Sequence, residues 1–428
     1  MPSLSTLVSS SIVLALAYLA AIGCAAVVFA LRLGGRREDP PDSRDAQSSS
    51  RFTIPVSVIV PLTSGVTGFD GSLDAKAISR TIASVIDQDY PELELIVAAE
   101  GLSEEIWSAL KFEWQLEPHE YFYRQTLPTE AVRKVYRSPR EPRLLVVDKG
   151  PSTNGADAVN CGVNLAHFRY VTTIRPGITF ERDALLRAMS APLRDAAGVA
   201  GATSHVEGEG WQRLSSVRSM LRTRIAQTTS QEISVVHDTV AVWRRDAIVE
   251  LGGFSTTAAD PDVDMAIRMP LSSNVSGRVV RSPEIFGRAN AVAAGVQLRN
   301  TRRSQLAALQ GITTLSRSRH ASPGSLVLAV MSDVLTPLAQ AWVAAATLLS
   351  AALGWVPWRD AMAAVVLLSF GRAAVSTAAL LVRGSAPGAP DAPALARLLL
   401  AAPFEFVATG PAVLAGRITA AWSFAKRS

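Results

Sequence analysis

PVSVIVP, residues 55–61, and AISRTIASVIDQDYPELELIVAAEG, residues 77–101, decide the fold. Val56 to Val60 form a short apolar run closed by Pro61, and Leu93 to Val97 form a second after the Tyr90-Pro91 turn. Between them, Ile78 to Ile86 carries apolar residues at helical spacing. Two apolar strands joined through a helix cannot pair as a hairpin. They form a βαβ unit, so the spacing predicts a parallel sheet.

Four further segments follow in order: AVNCG (Ala158 to Gly162), YVTTIRPGITFERDAL (Tyr170 to Leu185), VAVWRRDAIVELGGF (Val240 to Phe254) and DPDVDMAIRM (Asp260 to Met269). With the first two stretches, this succession resembles the family-2 glycosyltransferases of the membrane-bound polysaccharide-synthase type, over roughly residues 54 to 310. The resemblance implies a GT-A fold, an α/β domain with a Rossmann-like, mostly parallel sheet, flanked by N- and C-terminal transmembrane helices. It also implies a nucleotide-sugar donor, although a shared fold does not fix an activity.

Composition agrees with a soluble domain joined to membrane segments: 48% of the 428 residues are hydrophobic and 18% charged. Leu7 to Leu31 is uncharged and long enough to cross a bilayer, and Arg32, Arg36 and Arg37 follow it. That basic flank predicts an external N-terminus and a cytoplasmic main domain in the plasma membrane, with a retained anchor rather than a cleaved signal. Residues 38–53 are polar, Pro/Ser-rich and without periodicity, which reads as a tether. Leu326 to Trp355 and Ala361 to Val382 read as two further spans. Leu398 to Val413, broken by Pro403, Gly410 and Pro411, reads as a re-entrant or interfacial helix. The Gly/Pro/Ala linker at 383–397 and the terminal Lys426 and Arg427 fall on the cytoplasmic side, and the loop Trp355 to Asp360 on the outside. The expected division is an anchor (1–33), a linker (34–53), the transferase-like domain (54–322) and a C-terminal membrane region (323–428).

The net charge of +5 reflects Lys and Arg near membrane boundaries and between Arg299 and Arg319, which suits anionic head groups. Neither an aromatic-interleaved basic stripe nor zinc-finger spacing is present, so nucleic acid is not an expected partner. Two cysteines, Cys24 and Cys161, and five scattered histidines support neither a disulfide framework nor a metal site.

Set against the family pattern, the chemistry-bearing positions are depleted. Pro61 is followed by Leu62, Thr63 and Ser64, without the aromatic and acid that would meet a base. Ala99-Glu100 stands where paired Asp residues are expected. At the Asp-x-Asp metal position the chain has Ile174-Arg175-Pro176-Gly177, and a guanidinium cannot ligate a cation. No metal ligand is therefore assigned, and Mg or Mn is expected only if the chain is active. Asn154-Gly155 replaces the usual Lys stretch, while Asn160, Gly162 and Gly252-Gly253-Phe254 remain.

Asp262 matches the family's general base, with Asp260 and Asp264 as neighbours. A helix cap explains at least one of the three acids without chemistry. In the Gln-x-x-Arg-Trp region, Arg303 matches but Asn300 and Ser304 do not. Arg299, Arg302, Arg303, Arg317 and Arg319 also read as a basic surface beneath the bilayer. The candidate nucleotide-sugar contacts are thus Glu100, Arg175 and Arg303, and the candidate catalytic base is Asp262.

Three functions follow. The first is an accessory protein or pseudoenzyme of polysaccharide or glycolipid assembly, partnered by membrane lipid and by an active synthase or export component. The second is an active, divergent glycosyltransferase that uses a nucleotide sugar through Arg175, Glu100, Asp262 and Arg303. The third is a transport or scaffold component built on the intramembrane Asp333, Arg372 and Glu405.

Overall fold

A computed structural model describes residues 4–35, 54–63, 75–152, 155–209, 211–229, 239–289, 294–383, 396–398, 400 and 404–425. The tether at 38–53, Ser64, Asn154, linker residues 384–395, Pro403 and the terminal Lys426 and Arg427 lie outside the described residues.

The two apolar runs become β1 (Val56–Thr63) and β2 (Leu93–Glu100), paired in parallel from Val56↔Leu93 to Thr63↔Glu100. The helical run between them is α1's successor in the chain: α1 is Leu4–Gly35 and α2 is Ala75–Ile86. After β2 come α3 (Glu104–Trp114), β3 (Glu117–Pro118), β4 (Val132–Arg137), β5 (Leu144–Lys149) and α4 (Gly155–Leu165). Then follow β6 (Tyr170–Thr173), β7 (Ile178–Phe180), the short α5 (Ala184–Ala188) and α6 (Ser190–Arg194), and β8 (Val199–Gly208). The rest of the sheet region comprises α7 (Trp211–Thr229), β9 (Thr239–Arg244), α8 (Arg245–Glu250), α9 (Pro261–Leu271) and β10 (Arg278–Ala289).

The strands form one sheet in the order β3-β4-β5-β2-β1-β6-β9-β8-β10-β7. β5, β2, β1 and β6 run parallel, and β9 reverses direction between β6 and β8. β8 and β10 therefore run with the central block, so the mixed sheet is mostly parallel in strand direction. Val56, Val58, Val60 and Leu62 face one layer with Ile78 and Ile82 of α2, while Ile59 faces the other with Val159 and Val163 of α4. Burial on both faces explains why these strands are continuous apolar runs in the sequence.

The C-terminal part comprises α10 (Ala294–Arg317), α11 (Pro323–Val330), a π-helical turn (Met331–Leu335), α12 (Thr336–Ala352), α13 (Trp358–Arg383) and α14 (Glu405–Ala425). Three helical stretches, Ser5–Arg32, Pro323–Ala352 and Trp358–Val382, are long and apolar enough to cross a membrane. Within the segment expected at 398–413, α14 runs unbroken through Gly410 and Pro411 and extends to Ala425. It lies against α10 so closely that a Cβ on Gly416 would stand 3.0 Å from the Leu298 carbonyl oxygen.

α7 belongs in sequence to the sheet region yet packs on the apolar helices. Leu214, Val217 and Leu221 share a cluster with Ala30 of α1 and with Ala379, Leu380 and Val382 of α13. At the other junction, Ala329 of α11 meets Val263 and Ile267 of α9. The C-terminal ends of α1 and α13 therefore abut the sheet region, as does α11, and the Trp355 to Trp358 loop is at the opposite end of α13.

Candidate functional site

The three acids around the candidate base separate into three roles. Asp260 is the N-cap of α9: its Oδ1 accepts from the Asp262 amide at 3.2 Å. Asp264 pairs with Arg268 at 2.6 Å, and Arg268 donates to the Gly253 and Leu251 carbonyls at 2.8 and 3.2 Å, tying the helix to the Gly-Gly-Phe turn. Asp262 instead faces the end of β6, where its Oδ1 accepts from Thr173 Oγ1 at 2.8 Å. The cap therefore falls to Asp260 and leaves the Asp262 carboxylate to the site.

Arg175 lies just beyond β6. Its Nη2 donates to Asp260 Oδ1 and Oδ2 at 2.8 and 2.7 Å and approaches Asp262 Oδ2 at 3.4 Å. Arg303 of α10 reaches the same carboxylate: its Nε is 3.7 Å from Asp260 Oδ2 and donates to the Ala259 carbonyl at 2.9 Å. The two arginines and two aspartates make one cluster at the end of the parallel block. Burial raises the Asp262 carboxyl above its ordinary range; Arg175 opposes that shift and Asp260 reinforces it.

Glu100 occupies a different cluster. It ends β2, with β1 between it and β6. Its carboxylate accepts from the Ser152 amide and pairs with the fully buried Lys149 at 3.3 Å, while Lys149 also pairs with Asp157. Nearby Cys161 has its thiol pushed up to about 12, chiefly by burial, so it is an inert core thiol. Of the candidate residues, Arg175, Arg303 and Asp262 converge; Glu100 is held apart.

Arg303 is drawn inward, so it does not belong to a basic outer surface. Arg302 donates to Ser423 of α14 at 2.7 Å, and Arg317 and Arg319 are exposed. The residues do not fit a divalent cation. The turn at 175–177 offers a guanidinium where carboxylates are needed, Arg175 engages Asp260 and Asp262, and among the described residues no group of three His, Cys, Asp or Glu could hold a metal.

No family profile matches the sequence, and no curated protein does. Among solved structures, the mannosyltransferase PcManGT from Pyrobaculum calidifontis, in complex with GDP-Man and Mn2+, superposes with a TM-score of 0.57. The alignment covers 96% of this chain and 99% of that one at 17% identity. The fold is that of a glycosyltransferase. Residues 1–349 of TarS from S. aureus also align, at a TM-score of 0.41, 11% identity, and coverage of 77% of this chain and 91% of that one.

Two features of this glycosyltransferase fold escaped the sequence reading. One is the engagement of Arg175 by acids that lie far along the chain. The other is α7, whose Arg218 and Arg222 point at the apolar helices. Their i, i+4 spacing beside Leu214, Val217, Leu221 and Ile225 was the available signal.

Proposed function

We propose that this chain is a membrane-bound, glycosyltransferase-like protein of polysaccharide or glycolipid assembly that acts beside an active synthase or export component as an accessory subunit. The observation that carries this reading is the closed ion cluster of Arg175 with Asp260 and Asp262. A donor diphosphate and its cation need free carboxylates and free positive charge in this place. Here the charges satisfy one another, with the Asp260 and Asp262 side chains only 6% and 13% exposed. The three apolar helices support a multi-pass location, with the sheet region on the cytoplasmic side.

The test is donor binding by the purified full-length chain. PcManGT was solved with GDP-Man and Mn2+, so GDP-mannose and a UDP-sugar are titrated calorimetrically with and without Mn2+. Weak binding with no gain from the metal is expected. A gain of tenfold or more would overturn the accessory reading.

A second reading, an active transferase that works without a metal pair, is favoured by Asp262. Its buried carboxyl, raised in pKa and oriented by Thr173, has the character of a general base. The third function, a transport component, has less support, because Asp333, Arg372 and Glu405 are all engaged in ion pairs within the bundle.

A further inference from the structure

Charged side chains gather a second time where α7 meets α12, α13 and α14. Arg218 Nη2 is 2.5 Å from Glu405 Oε1, and its Nη1 donates to Glu405 Oε2 at 2.6 Å and to Ser376 at 2.5 Å. Arg372 shares the same carboxylate at 3.2 Å and donates to Gln340 at 2.8 Å. One carboxylate thus serves two guanidinium groups. This part of the cluster is accounted for as a clamp between the sheet region and the apolar helices.

Arg222 and Arg417 are not accounted for in that way. Arg222 is 3.7 Å from Asp333, a long contact, and its side chain is 53% exposed. Arg417 donates to the Pro337 carbonyl at 3.4 Å, and its Nε is buried with no hydrogen-bond partner among the described residues. Asp333 and Pro337 are four residues apart, about one turn, in the continuous helix of the π-helical turn and α12, so Arg222 and Arg417 reach the same stretch of it. The carboxylates paired with these arginines are Glu405, shared by Arg218 and Arg372, and Asp333, 3.7 Å from Arg222. Guanidinium groups gathered beside apolar helices favour an anion in their midst.

Guanidinium forks match phosphate oxygens in spacing and charge, and basic pockets between transmembrane helices on the cytoplasmic side suit phosphorylated head groups. We propose that Arg222 and Arg417, held in place beside the Arg218–Glu405–Arg372 clamp, bind a phosphate monoester or diphosphate group, carried by a membrane lipid or free in solution. The location among α12 to α14 rests on the membrane reading above. The site also adjoins the first cluster: Gln305, two residues beyond Arg303 on α10, donates to the Asp333 carbonyl at 2.7 Å.

The test uses the full-length chain in neutral detergent, with a polyprenyl monophosphate, phosphatidylcholine, inorganic phosphate and inorganic pyrophosphate as probes in native mass spectrometry and equilibrium binding. The polyprenyl monophosphate is expected to bind at least tenfold more tightly than phosphatidylcholine. Arg222→Gln and Arg417→Gln should each weaken it at least tenfold, whereas Arg319→Gln, which removes an exposed charge, should leave it unchanged. Arg222→Lys and Arg417→Lys should restore part of the loss. If Arg417→Gln does not fold, the half-exposed Arg222 carries the test alone. Pyrophosphate binding as tightly as the lipid, with the same losses in the variants, would support the site and assign it a soluble anion. No preference for any phosphate probe over phosphatidylcholine, or an equal loss in Arg319→Gln, overturns the proposal. Carbonate washing of membranes checks the membrane reading separately: release of the chain would sink that reading, whatever the binding result.

Discussion

Arg175 and Asp260 are 85 residues apart and meet through one guanidinium nitrogen 2.8 and 2.7 Å from the two carboxylate oxygens. Arg175 follows β6 and Asp260 caps α9, so the pair joins the end of the parallel block to the helix that presents Asp262. The pair thus fixes one positive charge beside the Asp260 and Asp262 carboxylates.

Breaking this pair exposes the cost of its partner. Arg175→Met should leave the buried Asp260 carboxylate without its main counter-charge and lower stability by about 2–3 kcal/mol, less than for a fully buried pair because Arg175 is 19% exposed. Adding Asp260→Asn should recover part of that loss. Thermal unfolding of the single and double variants measures it; a single variant as stable as the parent would remove the pair from any structural role.

The link between the AVNCG and Gly-Gly-Phe segments is the second target. Asn160 Oδ1 accepts from the Phe254 amide at 2.8 Å, and Nδ2 donates to the Phe254 carbonyl at 2.9 Å. Asn160→Ala would strand two buried backbone groups and should cost about 2–4 kcal/mol. Gly253→Ala should be comparably harmful: φ is +88° there and a Cβ would lie 2.7 Å from Asn160 Oδ1. Chemical denaturation should show both losses, and neither should change lipid retention.

What the sequence disclosed and what it hid divide along one line. The β1-α2-β2 unit was legible because burial on both sheet faces leaves local apolar runs, and Asn160 and Gly253 stood out because backbone geometry constrains residue type locally. Arg175 with Asp260, and Arg218 with Glu405, were not legible. Each pair is fixed by tertiary placement across a long sequence separation, and an arginine facing water reads the same as one facing a carboxylate. The course of α14 through Pro411 was hidden for a related reason: the close approach of α14 to α10 at Gly416 joins segments over a hundred residues apart and leaves no local signal.

Sidedness gives the third prediction. The ends of α1, α11 and α13 that abut the sheet region should be cytoplasmic, which places Arg359 outside, its side chain 87% exposed. In intact cells, Arg359→Cys should react with a membrane-impermeant maleimide, and Glu105→Cys on α3 should not. Background should be low, since Cys161 is buried and Cys24 lies within the first apolar helix. Labelling of Glu105→Cys alone would reverse the orientation.

Asp262→Asn distinguishes the accessory protein from the enzyme, and pH supplies its control. Burial, reinforced by Asp260 and opposed by Arg175, raises the Asp262 carboxyl above its ordinary 3.8. From pH 3.8 upward to the raised value, the folded chain therefore keeps a proton that the unfolded chain has released. Stability contributed at this position is present below that window and is lost as pH rises through it. An Asn is neutral throughout and can still accept from Thr173. The variant should therefore unfold at a higher temperature than the parent at pH 7, and the advantage should vanish in acid below the window. With folding thus verified, polymer output in cells carrying Asp262→Asn should match the parent, because an accessory subunit needs the shape of the site and not its base. A transferase would lose about a hundredfold or more of its turnover. Such a loss, in a variant shown to be well folded, would transfer the function to the active reading and make Asp262 its base.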